Sequence, residues 1–165
     1  MKIRRILAAL LLAASTAGAA APEGLVGQTP SKLLKEAPAF AKAYSATIKG
    51  QELPEWTERL SVGFPAEAVN VDGRKFVLTS ACNPDTDCQD ERFYLLYDPA
   101  DRSLTGFFFL PPALDTPGDH RMAFSRWLGK QPTKAQTAFL MERAVLDAQD
   151  PGKDAGKLPV ADPAK

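Results

Sequence analysis

Residues 69–82 read VNVDGRKFVLTSAC, and this stretch decides the fold. Asp72 and Gly73 lie between two runs that are rich in β-branched and other apolar residues. An Asp-Gly pair is favoured in two-residue hairpin turns, because both turn positions require a positive φ. The stretch therefore predicts a β-hairpin whose first strand ends near Val71 and whose second strand reaches Cys82.

Further strand-like runs follow the hairpin along the chain. They are ERFYLLYD at 91–98, LTGFFFL at 104–110 and HRMAFSRWLG at 120–129. The turn signal DPADRS joins the first two of these runs. Strands that follow one another through short turns form an antiparallel meander. We therefore predict an antiparallel sheet of about five strands.

Helical patterns precede the sheet. Ser31 is predicted to cap a short helix, and Pro38 suits the first turn of a second one. Apolar residues recur at helical spacing in this second helix until Gly50 ends it. In the segment LPEWTERL at 53–60, Trp56 is predicted to pack against the core.

A C-terminal helix is predicted to begin at Pro132, which suits a helix start. Its predicted apolar face consists of Ala138, Met141, Val145 and Ala148. Residues 150–165 lack apolar periodicity and are predicted to be a disordered tail. The chain is thus expected to hold one α+β domain, residues 31–149, with its helices packed on one side of the sheet.

The N-terminus has the features of a secretory signal peptide. Three basic residues precede a short apolar run, and small residues follow it. The run is shorter than the about 20 residues of a membrane span. We predict cleavage after Ala19, with Ala21 as the alternative, which makes residues 1–19 the signal peptide and 20–30 a flexible leader. The mature protein is expected to be exported to the periplasm.

The charge balance excludes one class of partner. The chain has 20 basic and 20 acidic residues, and cleavage removes three basic ones, which leaves 17 against 20 and a net charge of −3. The sequence has no basic stripe and no alternation of aromatic and basic residues. Nucleic acid is therefore not expected as a partner.

The stretch CNPDTDC at 82–88 contains both cysteines of the chain. In an oxidising compartment Cys82 and Cys88 are expected to form a disulfide, which closes a small ring around Pro84. Such a ring is either a pre-ordered binding loop, which binds with less entropic cost, or a plain connecting turn whose bridge adds about 2–3 kcal/mol of stability. The residues alone leave both interpretations open.

No enzyme is predicted from the side chains. His120 is the single histidine, and Ser125 near it does not lie in a nucleophile motif. A structural zinc site needs four Cys or His ligands, which the chain does not supply once its cysteines are paired. We expect no catalytic residue, no cofactor and no bound metal.

Acidic and amide residues alternate in the ring as in a calcium-binding EF-hand loop, at Asn83, Asp85 and Asp87. The sixth position is Cys88 instead of glycine, and the twelfth is Tyr94 instead of glutamate. Asp90 and Glu91 remain possible ligands of a non-standard site. A solvated acidic turn is the interpretation that the pattern favours.

The chain resembles the inhibitor of vertebrate lysozyme (Ivy) family. The resemblance rests on the order of the blocks AKAYSATIKGQELPEW, VNVDGRKFVLTSAC, ERFYLLYD and RWLGKQPTKAQTAFL around the cysteine ring. It implies an antiparallel sheet with helices on one side and a protruding disulfide loop, Cys-Lys-Pro-His-Asp-Cys, that enters the active-site cleft of c-type lysozyme. The resemblance thus implies that residues 82–88 plug an enzyme's active site.

The ring departs from the family motif inside the loop. Cys82, Pro84, Asp87 and Cys88 match the motif, whereas Asn83 stands in the place of lysine. The pair Asp85-Thr86 stands where the motif has histidine, which makes the ring one residue longer. The histidine of the motif meets the catalytic carboxylates of lysozyme. An ionised Asp85 would repel the ionised carboxylate there.

Two functions follow from this resemblance and these departures. In the first, the protein is a periplasmic inhibitor of c-type lysozyme, or of a related glycan-cleaving enzyme, and its inhibitory loop consists of Cys82, Asn83, Pro84, Asp85, Thr86, Asp87 and Cys88. In the second, it is an Ivy-like binding module that has lost this activity and binds another envelope partner, such as a lytic transglycosylase. Self-association is not predicted either way.

Overall fold

The computed structural model describes residues 24–86, 88, 91–112, 122–149 and 160–161. The described elements are α1 (Pro30–Glu36), α2 (Pro38–Ile48), α3 (Trp56–Arg59), β1 (Val62–Val71), β2 (Arg74–Cys82), β3 (Arg92–Asp98), β4 (Ser103–Leu110), β5 (Phe124–Gly129), α4 (Lys134–Gln149) and β6 (Val160–Ala161). No helix in these ranges is long and apolar enough to cross a membrane.

The strands form one antiparallel sheet with the order β5-β4-β3-β2-β1-β6. Asp72 and Gly73 form the tight turn between β1 and β2 with φ values of 53° and 76°, and Val71 pairs with Arg74. The predicted hairpin, the meander and the α+β class are therefore confirmed. The short β6 adds a sixth strand at the edge of β1.

The first three helices cover one face of the sheet. Phe40 and Tyr44 of α2 are buried there against Phe93, Leu95 and Tyr97 of β3. Pro38 begins α2 and Gly50 follows its end with a φ of 70°, as predicted. α1 instead begins one residue before Ser31, and the hydroxyl of Thr29 caps it by accepting from the Lys32 N–H.

The fourth helix lies on the opposite face, which corrects the expectation that all helices pack on one side. Leu140 and Ala144 of α4 share a buried cluster with Tyr94 and Leu96, the residues of β3 that point away from α2. Successive residues of a strand point to opposite faces. All seven residues of β3 are buried because helices cover both of these faces.

The predicted apolar face of α4 was also wrong. Met141 and Val145 are exposed, whereas Gln136, Leu140 and Ala144 are buried. The periodicity was correct, but it did not indicate which of two neighbouring stripes contacts the sheet. Leu140 and Ala144 form a stripe that is one residue out of phase with the predicted one.

The two predicted terminal segments lie mostly outside the described residues. The predicted signal peptide, residues 1–19, lies wholly outside them, and the leader is described only from Gly24 onward. Of the predicted tail 150–165, Val160 and Ala161 are described, and they pair with Gly63 and Val62 of β1. This pairing brings the chain back to the sheet after α4.

Candidate functional site

The cysteine ring lies where β2 ends and before β3 begins. Cys82 is the last residue of β2 and pairs with Arg92 of β3. Just beyond this pair, the Asn83 N–H donates to the carbonyl of Glu91 at 3.1 Å. Cys82 and Cys88 form the predicted disulfide with their Cα atoms 4.9 Å apart. The ring is therefore fixed to the end of a strand pair in the middle of the sheet.

The ring exposes its tip and buries its base. Both cysteines are buried, at 0% and 5% exposure for Cys82 and Cys88, whereas Pro84 and Asp85 are exposed. Pro84–Thr86 form a single 3₁₀ turn. Six of the seven predicted site residues thus belong to one short loop with an exposed tip, and the seventh, Asp87, lies outside the described residues.

Asn83 organises the described part of the ring. Its side-chain Oδ1 accepts from the Asp85 N–H at 3.0 Å, which is an Asx turn. Its backbone carbonyl accepts from the N–H groups of Thr86 and Cys88 at 3.4 and 3.2 Å. The direction in which Asp85 projects therefore depends on the placement of Asn83.

Glu91 connects the ring to α3. One carboxylate oxygen of Glu91 accepts from the Asn83 amide Nδ2 and from the Trp56 indole Nε1, both at 3.1 Å. Trp56 stacks on Phe108 with a centroid distance of 6.1 Å and packs against the core, as predicted. A hydrogen bond to an ionised acceptor is stronger than a neutral one. The ring is therefore tied to a residue that the core holds.

Arg92 supports the other side of the ring. Its Nε donates to the carbonyl of Cys88 at 3.4 Å, and its guanidinium lies 5.1 Å from the centre of the Phe64 ring. The same guanidinium is 3.4 Å from the carboxylate of Asp147 on α4. Tyr94 donates to that carboxylate at 2.9 Å, and burial followed by the negative charge of Asp147 raises the pKa of Tyr94.

An open groove separates the ring from α3. Its walls are Pro54, Glu55, Trp56, Arg59 and Ser61 on one side and Asn83, Pro84 and Asp85 on the other. Two carboxylates and one guanidinium line it, so the rim is polar and slightly acidic. The groove thus places the outer side of α3 next to the exposed tip of the ring.

The cation site that the sequence left open receives no support from the described residues. Glu91, considered as a cation ligand, uses its carboxylate to accept from Asn83 and Trp56. Within the described ranges, no group of three or more His, Cys, Asp or Glu residues is placed to hold a metal ion. Asp90 and His120 lie outside those ranges.

Residues 39–143, which include the ring, α3 and Glu91, match the family model described as inhibitor of vertebrate lysozyme (Ivy). The chain belongs to the Ivy family. No curated protein matches the chain closely enough to add a relative. Ivy is by its description a family of inhibitors, and the disulfide ring at the end of β2 of this Ivy domain presents Pro84 and Asp85 to solvent.

Sequence reasoning found the ring but missed what holds it. From the sequence, Glu91 is a candidate cation ligand and Arg92 is a strand residue, and neither pattern predicts a contact with the ring. The one available signal was the position of Glu91 and Arg92 directly before the apolar part of β3, where charged residues on a central strand need partners. Their partners, Trp56 and Asp147, are 35 and 55 residues away along the chain.

Proposed function

We propose that this Ivy-family protein inhibits c-type lysozyme by inserting residues 82–88 into the active-site cleft of the enzyme. The observation that carries the proposal is the shape of the ring, with a buried disulfide at its base and Pro84 and Asp85 exposed at its tip. A loop that is already ordered loses little conformational entropy when it binds. The family match supports lysozyme as the class of target.

The tip would meet two carboxyl groups in the cleft. One is a carboxylic acid with a raised pKa, and the other is an ionised carboxylate. A carboxylate such as Asp85 accepts from the acid but repels the ionised group. A repulsion of about 3 kcal/mol weakens binding about a hundredfold. We therefore expect inhibition that is weaker than that of a ring with the family motif.

A second function is favoured by the same composition of the ring. Asn83 turns towards Glu91 and does not present a cation, and Asp85 replaces a neutral or cationic group at the tip. A partner with cationic or hydrogen-bond donor groups in its cleft would suit this ring better than lysozyme does. A lytic transglycosylase of the envelope is the alternative target.

The deciding experiment compares the natural protein with a graft. In the graft, residues 82–88 are replaced by Cys-Lys-Pro-His-Asp-Cys, and both proteins are assayed against a vertebrate c-type lysozyme by the clearing of a cell-wall suspension. Inhibition by both supports the first function. Inhibition by the graft alone rejects it for the natural ring and favours the second function, which is then tested against a lytic transglycosylase. Inhibition by neither excludes lysozyme as the target of this scaffold.

The proposal includes export to the periplasm and removal of residues 1–19. The basic, apolar and small-residue segments of the N-terminus support it. Sequencing the N-terminus of the protein recovered from the periplasmic fraction tests both points. A mature protein that starts at Ala20 is the expected result. Recovery of the full chain from the cytoplasm would reject the proposed location.

A further inference from the structure

The carboxylate of Glu91 is the point where the ring meets the rest of the domain. One of its oxygens accepts from Asn83 in the ring and from Trp56 at the start of α3. Its backbone carbonyl also accepts from the Asn83 N–H. Asn83 is thus held at both its backbone and its side chain by a single residue.

The side chain of Asn83 transmits this restraint to the tip. An amide group donates through its nitrogen and accepts through its oxygen. Nδ2 donates to Glu91, and Oδ1 accepts from the Asp85 N–H at 3.0 Å. Glu91 therefore fixes the orientation of the amide, and the amide fixes the first turn of the ring.

We propose that Glu91 is a positioning residue for the ring and that it sets the direction in which Asp85 meets a partner. The effect of Glu91 on inhibition rests on the proposed function. Its effect on the order of the ring concerns the free protein alone. The disulfide closes the ring at its base, and the hydrogen bonds of Glu91 join the ring to α3. This link is firm because Trp56, the second donor to Glu91, is anchored by stacking on Phe108.

The first test measures order in the free protein. Glu91→Ala removes the acceptor of both donors, and Glu55→Ala is the matched control, because it removes a carboxylate from the same groove but no hydrogen bond of the described ring. Backbone order parameters from nuclear magnetic resonance relaxation are measured for Asp85 and Thr86. In Glu91→Ala they are expected to fall from about 0.85 towards 0.6, with no change in Glu55→Ala.

A pair of substitutions at Asn83 and Glu91 tests the hydrogen bond between their side chains. Asn83→Asp keeps the acceptor for the Asp85 N–H but places a carboxylate against Glu91, so the ring is expected to loosen. Adding Glu91→Gln supplies an amide that donates to the new carboxylate. Because the same position of Glu91 also accepts from Trp56, only the bond to residue 83 returns, and the order parameters are expected to recover in part. Unchanged order in Glu91→Ala, or no recovery in the double variant, would overturn the positioning role.

Inhibition of a vertebrate c-type lysozyme gives the functional readout. Glu91→Ala is expected to weaken inhibition about tenfold, whereas Asp72→Asn, at the opposite end of β2 from the ring, is expected to leave it unchanged. A ring that loosens without loss of inhibition would overturn the assignment of Glu91 as a positioning residue for inhibition. If the unaltered protein does not inhibit lysozyme, the proposed function fails, and the order parameters alone decide whether Glu91 positions the ring.

Discussion

The carboxylate of Asp147 on α4 lies 3.4 Å from the guanidinium of Arg92, the first residue of β3. Both side chains are largely buried, with exposed fractions of 12% and 8%. Tyr94 and Arg143 also contact this carboxylate, at 2.9 and 3.1 Å. Because Arg92 donates to the carbonyl of Cys88 as well, the ion pair connects α4 to the base of the ring.

Removing this carboxylate is expected to destabilise the domain strongly. Asp147→Ala leaves the buried charge of Arg92 without the Asp147 carboxylate, and breaking a buried pair in this way costs about 3 kcal/mol. The free energy of unfolding is measured by urea titration. Glu36→Ala is the control, since it breaks the exposed Lys32–Glu36 pair and is expected to cost less than about 0.5 kcal/mol. An equal loss of stability in the two variants would contradict the expectation that the buried ion pair contributes more than the exposed one.

The sheet was largely predictable from local sequence. The meander follows from the Asp72–Gly73 turn, the apolar runs and the short connections between β1 and β4. Each of these signals depends on only a few neighbouring residues. The position of the ring followed from the same pattern, since both of its cysteines lie between two predicted strands. Pro38 and Gly50 marked the ends of α2 for equally local reasons.

The side on which α4 packs was not predictable in this way. Its two apolar stripes have similar composition, and only contact with Tyr94 and Leu96 selects the stripe of Leu140 and Ala144. β3 carries a hint, because it is apolar at nearly every position and not at alternate ones. A strand of that kind is buried on both faces. Helices on both sides of the sheet are the consequence.

Gly106 of β4 is expected to tolerate no side chain. A Cβ atom there would lie 2.7 Å from the ring of Phe93 and 3.3 Å from the Cβ of Leu128. Gly106→Ala is therefore expected to lower the free energy of unfolding by about 2 kcal/mol through overpacking. Gly24→Ala is the control, because nothing lies within 4 Å of its Cβ position. Urea titration of both variants checks this, and equal stability would show that the core relaxes around the methyl group.

Stability is expected to fall in alkaline solution. The pKa values of all three tyrosines, Tyr44, Tyr94 and Tyr97, are raised, first of all by burial. Above about pH 10 the unfolded chain releases the phenolic protons, whereas the folded protein retains them. Stability is therefore lost as the pH rises above that point, and the slope approaches about 1.4 kcal/mol per pH unit for each of Tyr44 and Tyr94, which are the more deeply buried.

Tyr94→Phe isolates one of these contributions. Unfolding is measured by urea titration between about pH 10 and 11.5, and the slope of stability against pH is expected to be smaller in the variant by about 1.4 kcal/mol per unit. The pKa of Tyr94 is raised in the folded protein, so its contribution is complete below pH 10 and is lost as the pH rises. Parallel slopes in the two proteins would mean that Tyr94 ionises equally in the folded and unfolded states.

The disulfide is expected to matter more for binding than for folding. Replacing both Cys82 and Cys88 by alanine removes about 2–3 kcal/mol of stability, which leaves a domain of ordinary stability folded. Inhibition of lysozyme is expected to weaken at least tenfold, because the open loop must be ordered on binding. Substitution is preferable to a reductant because lysozyme itself contains disulfides. Circular dichroism reports the folded fraction, and a parallel loss of folding and inhibition would favour a purely stabilising bridge.

The charge of Asp85 is expected to limit inhibition of lysozyme. Asp85→Asn keeps the size of the exposed side chain and, in the proposed complex, removes its repulsion from the ionised carboxylate of the cleft, so inhibition should strengthen about a hundredfold. Asp72→Asn is the control, because it removes one exposed charge at the opposite end of β2, about 30 Å away, and asparagine tolerates the positive φ of that turn. Inhibition constants for the two variants and the unaltered protein check the prediction. Weaker inhibition by Asp85→Asn would mean that Asp85 faces donor groups of the enzyme and that the acidic tip is an adaptation of this ring to its target.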